Sequence, residues 1–431
     1  MSPVSKRHGG EMMKDLVLID RKTAQHKGCV HMHTDRSPDS TVPYAGALAE
    51  YREKGFRFCV MTDHEIYWNS REQDREDFIV LAGAERALRP NEAHPFLLSG
   101  PRQMHCHLNL IWDVTAGPCP YGHDERLPRP IDWGISSWNR LIRSCGEQNQ
   151  LVIFNHPGWS HVAPETLLAV EGCFALEVWN TGAVKDLGGA SDDGIWDYCL
   201  ERGKRIWAVA GDDTHHYGPD YGICGACATV ALTDDFSREG LCTALRNGQF
   251  YPTTGPELRA MEVKDGVLHM DFSPAVMAQV VGGSRWGRAC YAGPGEELTH
   301  LDWPVDSALN YFRVRVVDGR GGVAWSQPVF MEDLLEEIVG NIYDEYDDQE
   351  QPEIRKLSEN KWKVSGNIDI EDLLEEIPLP VEPNDAYDTL GGLVLYMLGS
   401  VPKDGTRFRL ELEVNSRIPE IMGRELVGEV Q

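Results

Sequence analysis

Residues 331 to 431 contain neither histidine nor cysteine; all 15 histidines and all 11 cysteines come earlier. That absence excludes soft or borderline metal chemistry from the last part of the chain, because imidazole and thiolate are its usual ligands. Long apolar runs are also lacking. Stretches such as Leu16-Val17-Leu18-Ile19 fall far short of the roughly 20 residues that a membrane helix needs. The start, MSPVSKRHGGEMMKD, has no following apolar segment of signal-peptide length. The expectation is a cytoplasmic protein with no membrane span. Basic residues are scarce: 41 Lys plus Arg stand against 68 Asp plus Glu, a net charge of −27. Such a charge repels phosphate backbones and excludes nucleic-acid binding by general basicity. The cysteines are odd in number and sit among apolar neighbours, as in Phe58-Cys59-Val60, which predicts reduced core thiols rather than a disulfide framework.

What is present supports folded cores. The 431 residues are 42% hydrophobic and carry 12 Trp, 12 Phe and 14 Tyr, enough for two or three domains. Between residues 25 and 255, short apolar runs alternate with helix-like stretches: Gly28-Cys29-Val30, then 44–54, 56–61, 151–154, 175–179 and 205–210. This βα repetition predicts an α/β fold with a parallel sheet. Residues 256 to 330 switch to strict alternation, as in Tyr311-Phe312-Arg313-Val314-Arg315-Val316-Val317, with an Asp318-Gly319 turn, and predict a small β appendage. Residues 331 to 431 hold 25 acidic against 9 basic residues and form a third, unlike piece.

Polar chemistry clusters where the apolar runs of the first piece end: His31-x-His33, Asp39, Thr62-Asp63-His64, Glu85, His107, Asn155-His156-Pro157, Glu177 and Asp213-x-His215. Barrel enzymes of this layout carry their active sites there. Residues i and i+2 of a strand share a face, so His31 with His33, and Asp213 with His215, can each reach one ion. Mixed imidazole and carboxylate ligands suit Zn²⁺, Mn²⁺ or Fe²⁺ better than Ca²⁺ or Mg²⁺. Taken alone a His-x-His pair is more often a surface or core feature than a ligand pair; nine ligand-type residues in order, His31, His33, Asp39, His64, Glu85, His107, His156, Asp213 and His215, are hard to explain that way.

The segments HMHT, TDH, GAE, HLNLI, NHPGW, LEVWN and GDDTH, in that order across residues 25 to 255, resemble the PHP (polymerase and histidinol phosphatase) metallohydrolases. FYPTTGPEL at 250–258 and RVVDGRGGVAWSQPVF at 315–330 are similar to the closing segments of that family's CehA/McbA-like branch. The resemblance implies a distorted (β/α)7 barrel over residues 1–255, followed by the β appendage at 256–330. It implies a first ion on His31, His33, Glu85 and Asp213, with Glu85 bridging to a second ion on His107 and His156. A third ion would sit on His64 and His215 with Asp39. Many relatives read Ser-Asp-Gly after the His-x-His, whereas this chain reads Ser37-Pro38-Asp39-Ser40. Asp63 is expected to orient a ligand or a metal-bound water, since ligating imidazoles usually donate their other N–H to a carboxylate.

Two or three divalent ions, zinc, manganese or iron, would thus be cofactors of a hydrolase, because adjacent cations bring a bridging water's pKa near neutrality. Asp63, His64 or Asp213 is expected to move the proton. Arg36, His161, Asn180 and His216 are the candidates for contact with a small-molecule substrate. Each also has a structural reading as a solvated loop or turn residue. The first functional expectation is a phosphoesterase for a small phosphorylated molecule. A carbamate, ester or amide hydrolase is the second, and a non-catalytic divalent-ion sensor the third. Cys224-Gly225-Ala226-Cys227 is read as a pair of strand-lining thiols, and His94, His105 and His123 are assigned no chemistry.

The last piece, 331–431, resembles the CorC/HlyC transporter-associated domain through MEDLLEEIVGNIYDEYDD, NKWKVSGNIDIEDL and YDTLGGLVLYMLGSVPKDG. An α+β fold and an association with ion transport follow from that resemblance. In that family the domain follows membrane and CBS domains, and neither is found here. The junction at Phe330-Met331 has no Gly, Ser or Pro linker.

Overall fold

The computed structural model describes residues 15–88, 106–128, 134–188, 191–283, 287–306 and 308–334. Beyond these it describes 354–358, 361–364, 407–411, 425–429 and a few single positions. The chain divides into two compact units, Met1–Gly340 and Asn341–Gln431. It is mixed α/β, with many strands and few helices.

In the first unit a long sheet runs through Gly287–Tyr291, Met277–Val281, Tyr311–Val317, Val323–Trp325, Phe250–Thr253, Ala228–Leu232, Gln25–Cys29, Phe58–Val60 and Ile79–Leu81. A second sheet orders Trp207–Gly211, Ala175–Asn180, Gln150–Phe154, His107–Trp112 and Gly83–Ala87. The chain passes from one to the other across the single residue Ala82. Gly83 permits this crossing: a Cβ there would stand 2.4 Å from the Leu110 carbonyl oxygen and 2.9 Å from that of Met61. On the far side the Ala210 N–H donates to the Thr229 hydroxyl at 3.0 Å.

The expected parallel sheet forms only in part. Gln25–Cys29, Phe58–Val60 and Ile79–Leu81 are parallel, as are Gln150–Phe154, Ala175–Asn180 and Trp207–Gly211. His107–Trp112, however, runs antiparallel to both its neighbours, and Ala228–Leu232 runs antiparallel to Gln25–Cys29. Strands buried on both faces read as continuous apolar runs whatever their direction, so composition does not separate the two cases. The helices follow the usual amphipathic rule. Ile135–Glu147 buries Trp138, Ile142 and Cys145, spaced by four and three residues. Arg238–Arg246 is capped by the Ser237 side chain, which accepts the Gly240 N–H.

The segment expected as an appendage from residue 256 is only partly separate. Its strands Tyr311–Val317 and Val323–Trp325 join the long sheet through Phe250–Thr253. A four-stranded antiparallel sheet, Leu16–Ile19, Leu258–Lys264, Val267–Ala275 and Leu298–Pro304, stands beside it. The unit also continues past Phe330: Met331 and Leu334 are buried in the same core cluster as Phe312 and Val314. Arg205 pairs with Glu332 and Asp333 at 3.0 and 2.9 Å. The expected division at 330/331 therefore falls inside packed structure. All 11 cysteines are free thiols, nine of them buried. Cys224 and Cys227 sit in a turn whose backbone N–H groups, at Gly225 and Cys227, donate to the buried Asp212.

In the second unit, Ile354–Ser358 pairs antiparallel with Lys361–Val364, and Arg407–Glu411 with Glu425–Glu429. Ile368, Leu373 and Leu393 are buried. The acidic run at 343–348 lies outside the described residues. No helix among the described residues is long and apolar enough to cross a membrane.

Candidate metal centre

The strand directions bring one set of side chains to one end of the first unit. His31 and His33 follow Gln25–Cys29, His64 follows Phe58–Val60, His156 follows Gln150–Phe154, and Asp213 follows Trp207–Gly211. His107 opens a strand rather than closing one, because that strand runs the other way. Glu85 lies within Gly83–Ala87 and is fully buried.

Glu85 is the hub. Its Oε1 lies 3.3 Å from His31 Nε2, 3.0 Å from His107 Nδ1 and 3.6 Å from His156 Nε2. Its Oε2 lies 3.2 Å from His33 Nε2 and 2.9 Å from His64 Nδ1. Asp213 Oδ1 stands 3.2 and 3.0 Å from the Nε2 atoms of His31 and His33. Three clusters result whose ligand-type atoms lie within 4.8 Å of one another: His31, His33, Glu85 and Asp213; His64, Glu85 and His107; and His33, Asp39, His64 and His215. Asp39 bridges His64 at 3.2 Å and His215 at 3.5 Å. His156 stands slightly back, 4.0 Å from Asp213 Oδ2.

The outer partners decide which nitrogen faces the centre. His31 donates Nδ1–H to Glu177 Oε1 at 2.7 Å, His33 places Nδ1 3.0 Å from the Ser37 hydroxyl, and His156 places Nδ1 3.1 Å from Ser160. All three thereby present Nε2 inward, the arrangement in which ligating imidazoles are held. Two of those nitrogens, on His31 and His33, stand only 3.2 Å apart. Glu85 Oε2 and Asp213 Oδ1 are buried without a well-directed hydrogen bond, which is costly unless a cation is shared among them. The donor set fits divalent transition ions.

The electrostatics agree. Burial opposes a charged His31, but Asp213, Glu177 and Glu85 outweigh it and hold its pKa well above the ordinary value. Burial also opposes charge on His64, yet Glu85 and Asp39 push its pKa up to about 11. The carboxyls of Glu85 and Asp213 resist burial and are held well below the usual range by the surrounding imidazoles. His107 moves the other way, lowered chiefly by desolvation. The cluster is thus a set of ionised carboxylates whose counter-charge comes from imidazolium when no metal supplies it.

The remaining expected residues have other occupations. Asp63 accepts from the Thr34 N–H at 2.6 Å, the Thr34 hydroxyl and the Ser37 hydroxyl. It touches no ligand histidine directly and acts on His33 and His64 through Ser37, which also accepts the His64 N–H at 2.8 Å. Arg36 is ion-paired with Asp124 and lies 4.9 Å over the Trp68 ring. Asn180, expected at the substrate, is hydrogen-bonded to groups around the cluster. Its amide donates to Glu177 and Asp213, and its oxygen caps the helix Thr181–Leu187 at the Ala183 N–H. His161 is exposed with φ +52°, and His216 is exposed and stacked on Tyr221. His123 packs edge-on against Trp68, while His94 and His105 lie outside the described residues.

Glu177 and Asn155 stand among the polar groups at the strand ends, but their partners carried no sequence signal. Glu177 is buried between His31, the His156 N–H and Asn180. Asn155 donates to Glu85 at 2.8 Å. Gly211 leaves room for both: a Cβ there would lie 2.1 Å from Glu177 Oε1 and 2.6 Å from His31 Cβ. Two candidate ligands, His156 at φ +28° and Asp213 at φ +52°, hold left-handed backbone, a conformation that costs of order 1–3 kcal/mol at non-glycine positions.

The comparisons with known proteins fall mainly on the other unit. The transporter associated domain family, CorC_HlyC, matches residues 355–424. The magnesium and cobalt efflux protein CorC of Vibrio cholerae is 42% identical over 107 residues, covering 23% of this chain and 36% of that protein. CorC of Escherichia coli K12 is 35% identical over 130 residues, covering 27% and 44%. A possible hemolysin C of Rickettsia canadensis is 38% identical over 112 residues, covering 26% and 37%. The chain thus spans less than half the length of these relatives. Among solved structures, an amidohydrolase from Chromobacterium violaceum covers 44% of this chain and 88% of its own, at 12% identity and a TM-score of 0.28. It is the C-terminal segment, not the chain as a whole, that carries a transporter associated domain of the CorC/HlyC family.

Proposed function

We propose that the first unit is a metal-dependent hydrolase of the PHP kind, a phosphoesterase for a small phosphorylated molecule using two or three zinc, manganese or iron ions. The observation that supports this reading is Glu85, one buried carboxylate within 3.6 Å of five imidazoles. His31, His33, Glu85 and Asp213 would hold one ion, Glu85, His107 and His156 a second, and Asp39, His64 and His215 a third. Bound divalent ions would supply an acidified water and neutralise charge developing on the substrate. The protein groups do the rest. Glu177, Ser37 and Ser160 fix the imidazole orientations, and Asn155 and Asn180 hold the carboxylates. Asp63 is 1% exposed and saturated by Thr34 and Ser37, so it does not carry the proton. With two ions bound and the third site free, His64, whose partly open side chain turns Nε2 to the half-exposed Asp39, is the better carrier. Trp159 packs against His156 and His107 at 4.9 and 6.2 Å and limits water on that side.

A second reading, hydrolysis of a carbamate, ester or amide, is favoured by Arg36. Its pairing with Asp124 and its stacking on Trp68 leave it poorly disposed to grip a phosphate. A panel of phosphate monoesters, diesters, aryl carbamates and aryl esters, assayed with Mn²⁺ and Zn²⁺, separates the two. Turnover of phosphoesters is the expected result, turnover of carbamates alone selects the second reading, and no turnover on any of them rejects both.

For the second unit we propose an association with ion transport, on the strength of its CorC relatives. It should be dispensable for the metal centre. A chain ending at Gly340 is expected to keep its metal and hydrolytic activity, since every candidate ligand lies between residues 31 and 215. A chain ending at Phe330 should be less stable, because it loses Met331 and Leu334 from the core; Leu334 alone is worth roughly 2–5 kcal/mol. Thermal melts and elemental analysis of both truncations check this. Equal stability of the two would overturn the boundary drawn here.

A further inference from the structure

A second group of metal-type ligands stands on the four-stranded sheet, apart from the candidate centre. Strands Val267–Ala275 and Leu298–Pro304 pair antiparallel, with His269 opposite Asp302 and Asp271 opposite His300. Alternation sends Leu268, Met270, Phe272 and Leu301 into the core, so these four polar side chains share the outer face. Nδ1 of His269 and Nε2 of His300 converge on a single oxygen, Asp302 Oδ1, at 2.6 and 2.8 Å. Ligand-type atoms of the three residues lie within 4.8 Å of one another. The other nitrogen of His300, Nδ1, lies 2.5 Å from Asp271 Oδ1, and Asp271 is itself ion-paired with Arg21.

We propose that His269, His300 and Asp302 form a surface site for a borderline transition ion such as zinc, nickel or copper(II), with Asp271 orienting His300. Two imidazoles and one carboxylate favour these ions over magnesium or calcium. Three protein ligands leave positions open for water or for a group from another molecule. The Asp271–His300 contact has the form in which a carboxylate fixes the tautomer of a ligating imidazole. Without an ion, His300 donates from both nitrogens, to Asp271 and to Asp302, and His269 donates to the same Asp302 oxygen; exposed pairs of this kind contribute little, and a bound cation would take the place of the protons that face Asp302 Oδ1. The site rests on none of the ligands of the candidate centre and stands or falls separately from the proposed hydrolase.

The test uses the full chain, stripped with chelator and dialysed against micromolar zinc, beside a His269→Ala/His300→Ala variant. The double variant is expected to bind one equivalent fewer while keeping its remaining metal and any hydrolytic activity. Asp271→Asn should keep that equivalent but bind it about 10- to 100-fold more weakly. In the unsubstituted protein, copper(II) should broaden the ring resonances of His269 and His300, a readout that depends on no variant. Equal metal content in the wild-type chain and the double variant, or sharp His269 and His300 signals at saturating copper, overturns the proposal.

Discussion

Glu85→Ala is expected to empty the candidate centre and remove hydrolysis altogether. Replacing an outer partner of a metal ligand typically costs roughly 10–100-fold in affinity or activity, and Glu85 is an inner group shared by all the clusters it joins. It also supplies the negative charge that His31, His33, His64 and His107 face. The isosteric Glu85→Gln separates charge from shape: it should retain the fold by circular dichroism and still lose metal by elemental analysis. Glu177→Gln should fall between this variant and wild type, because it touches His31 from outside the cluster. If Glu85→Ala kept its full metal content and near-normal turnover, the assignment of a bridging carboxylate would be wrong.

The largest expected loss of stability lies away from the centre, at Asp197→Ala. Arg313 is 1% exposed and held by Asp197 through two contacts of 2.7 Å, with its guanidinium 4.8 Å from the Trp196 ring. The Tyr311 hydroxyl donates to the same carboxylate. Removing Asp197 leaves a buried cation without its main partner, a change that costs about 3–5 kcal/mol. Asp193 stands 3.9 Å away and offsets little of it. Replacing both partners, as Asp197→Leu with Arg313→Met, should recover most of the loss, since paired removal leaves no orphaned charge. Chemical denaturation of the single and double variants gives the comparison. A single variant as stable as wild type would mean that Arg313 finds water or another carboxylate.

Much of the centre could be read from residue type and spacing. His31 and His33 lie two apart and reach the same cluster, whereas Asp213, on left-handed backbone past its strand, joins them and His215 joins the cluster of Asp39 and His64. Glu85, His64, His107 and Asp39 come together with them. What escaped reading depends on partners distant in the chain. Asn180 looks like a free polar residue until its amide meets Glu177 and Asp213, and Arg36 until it meets Asp124. Gly211 is one glycine among many until His31 and Glu177 close on it. Sheet direction escaped for a different reason: the reversal of His107–Trp112 leaves the same apolar composition as a forward strand. The change in composition at 331 does not coincide with the edge of the packed core, because Met331 and Leu334 are apolar residues of the acidic segment that continue it.

The pairing of Gln25–Cys29 with Ala228–Leu232 has a consequence for the order of events during synthesis. These strands lie some 200 residues apart in sequence, and His31 and His33 are carried on the earlier one. Long-range pairings form slowly, because the loop must be closed before the contacts reward it. At the usual pace of chain elongation, roughly 5–20 residues per second, His31 and His33 are made about 10–40 seconds before residue 232 appears. Asp213 and His215 must also emerge before the cluster can assemble. Any metal that the cluster takes up is therefore expected to be captured after folding, and ions met earlier by the nascent histidines would be held only by whatever affinity an unfolded segment has.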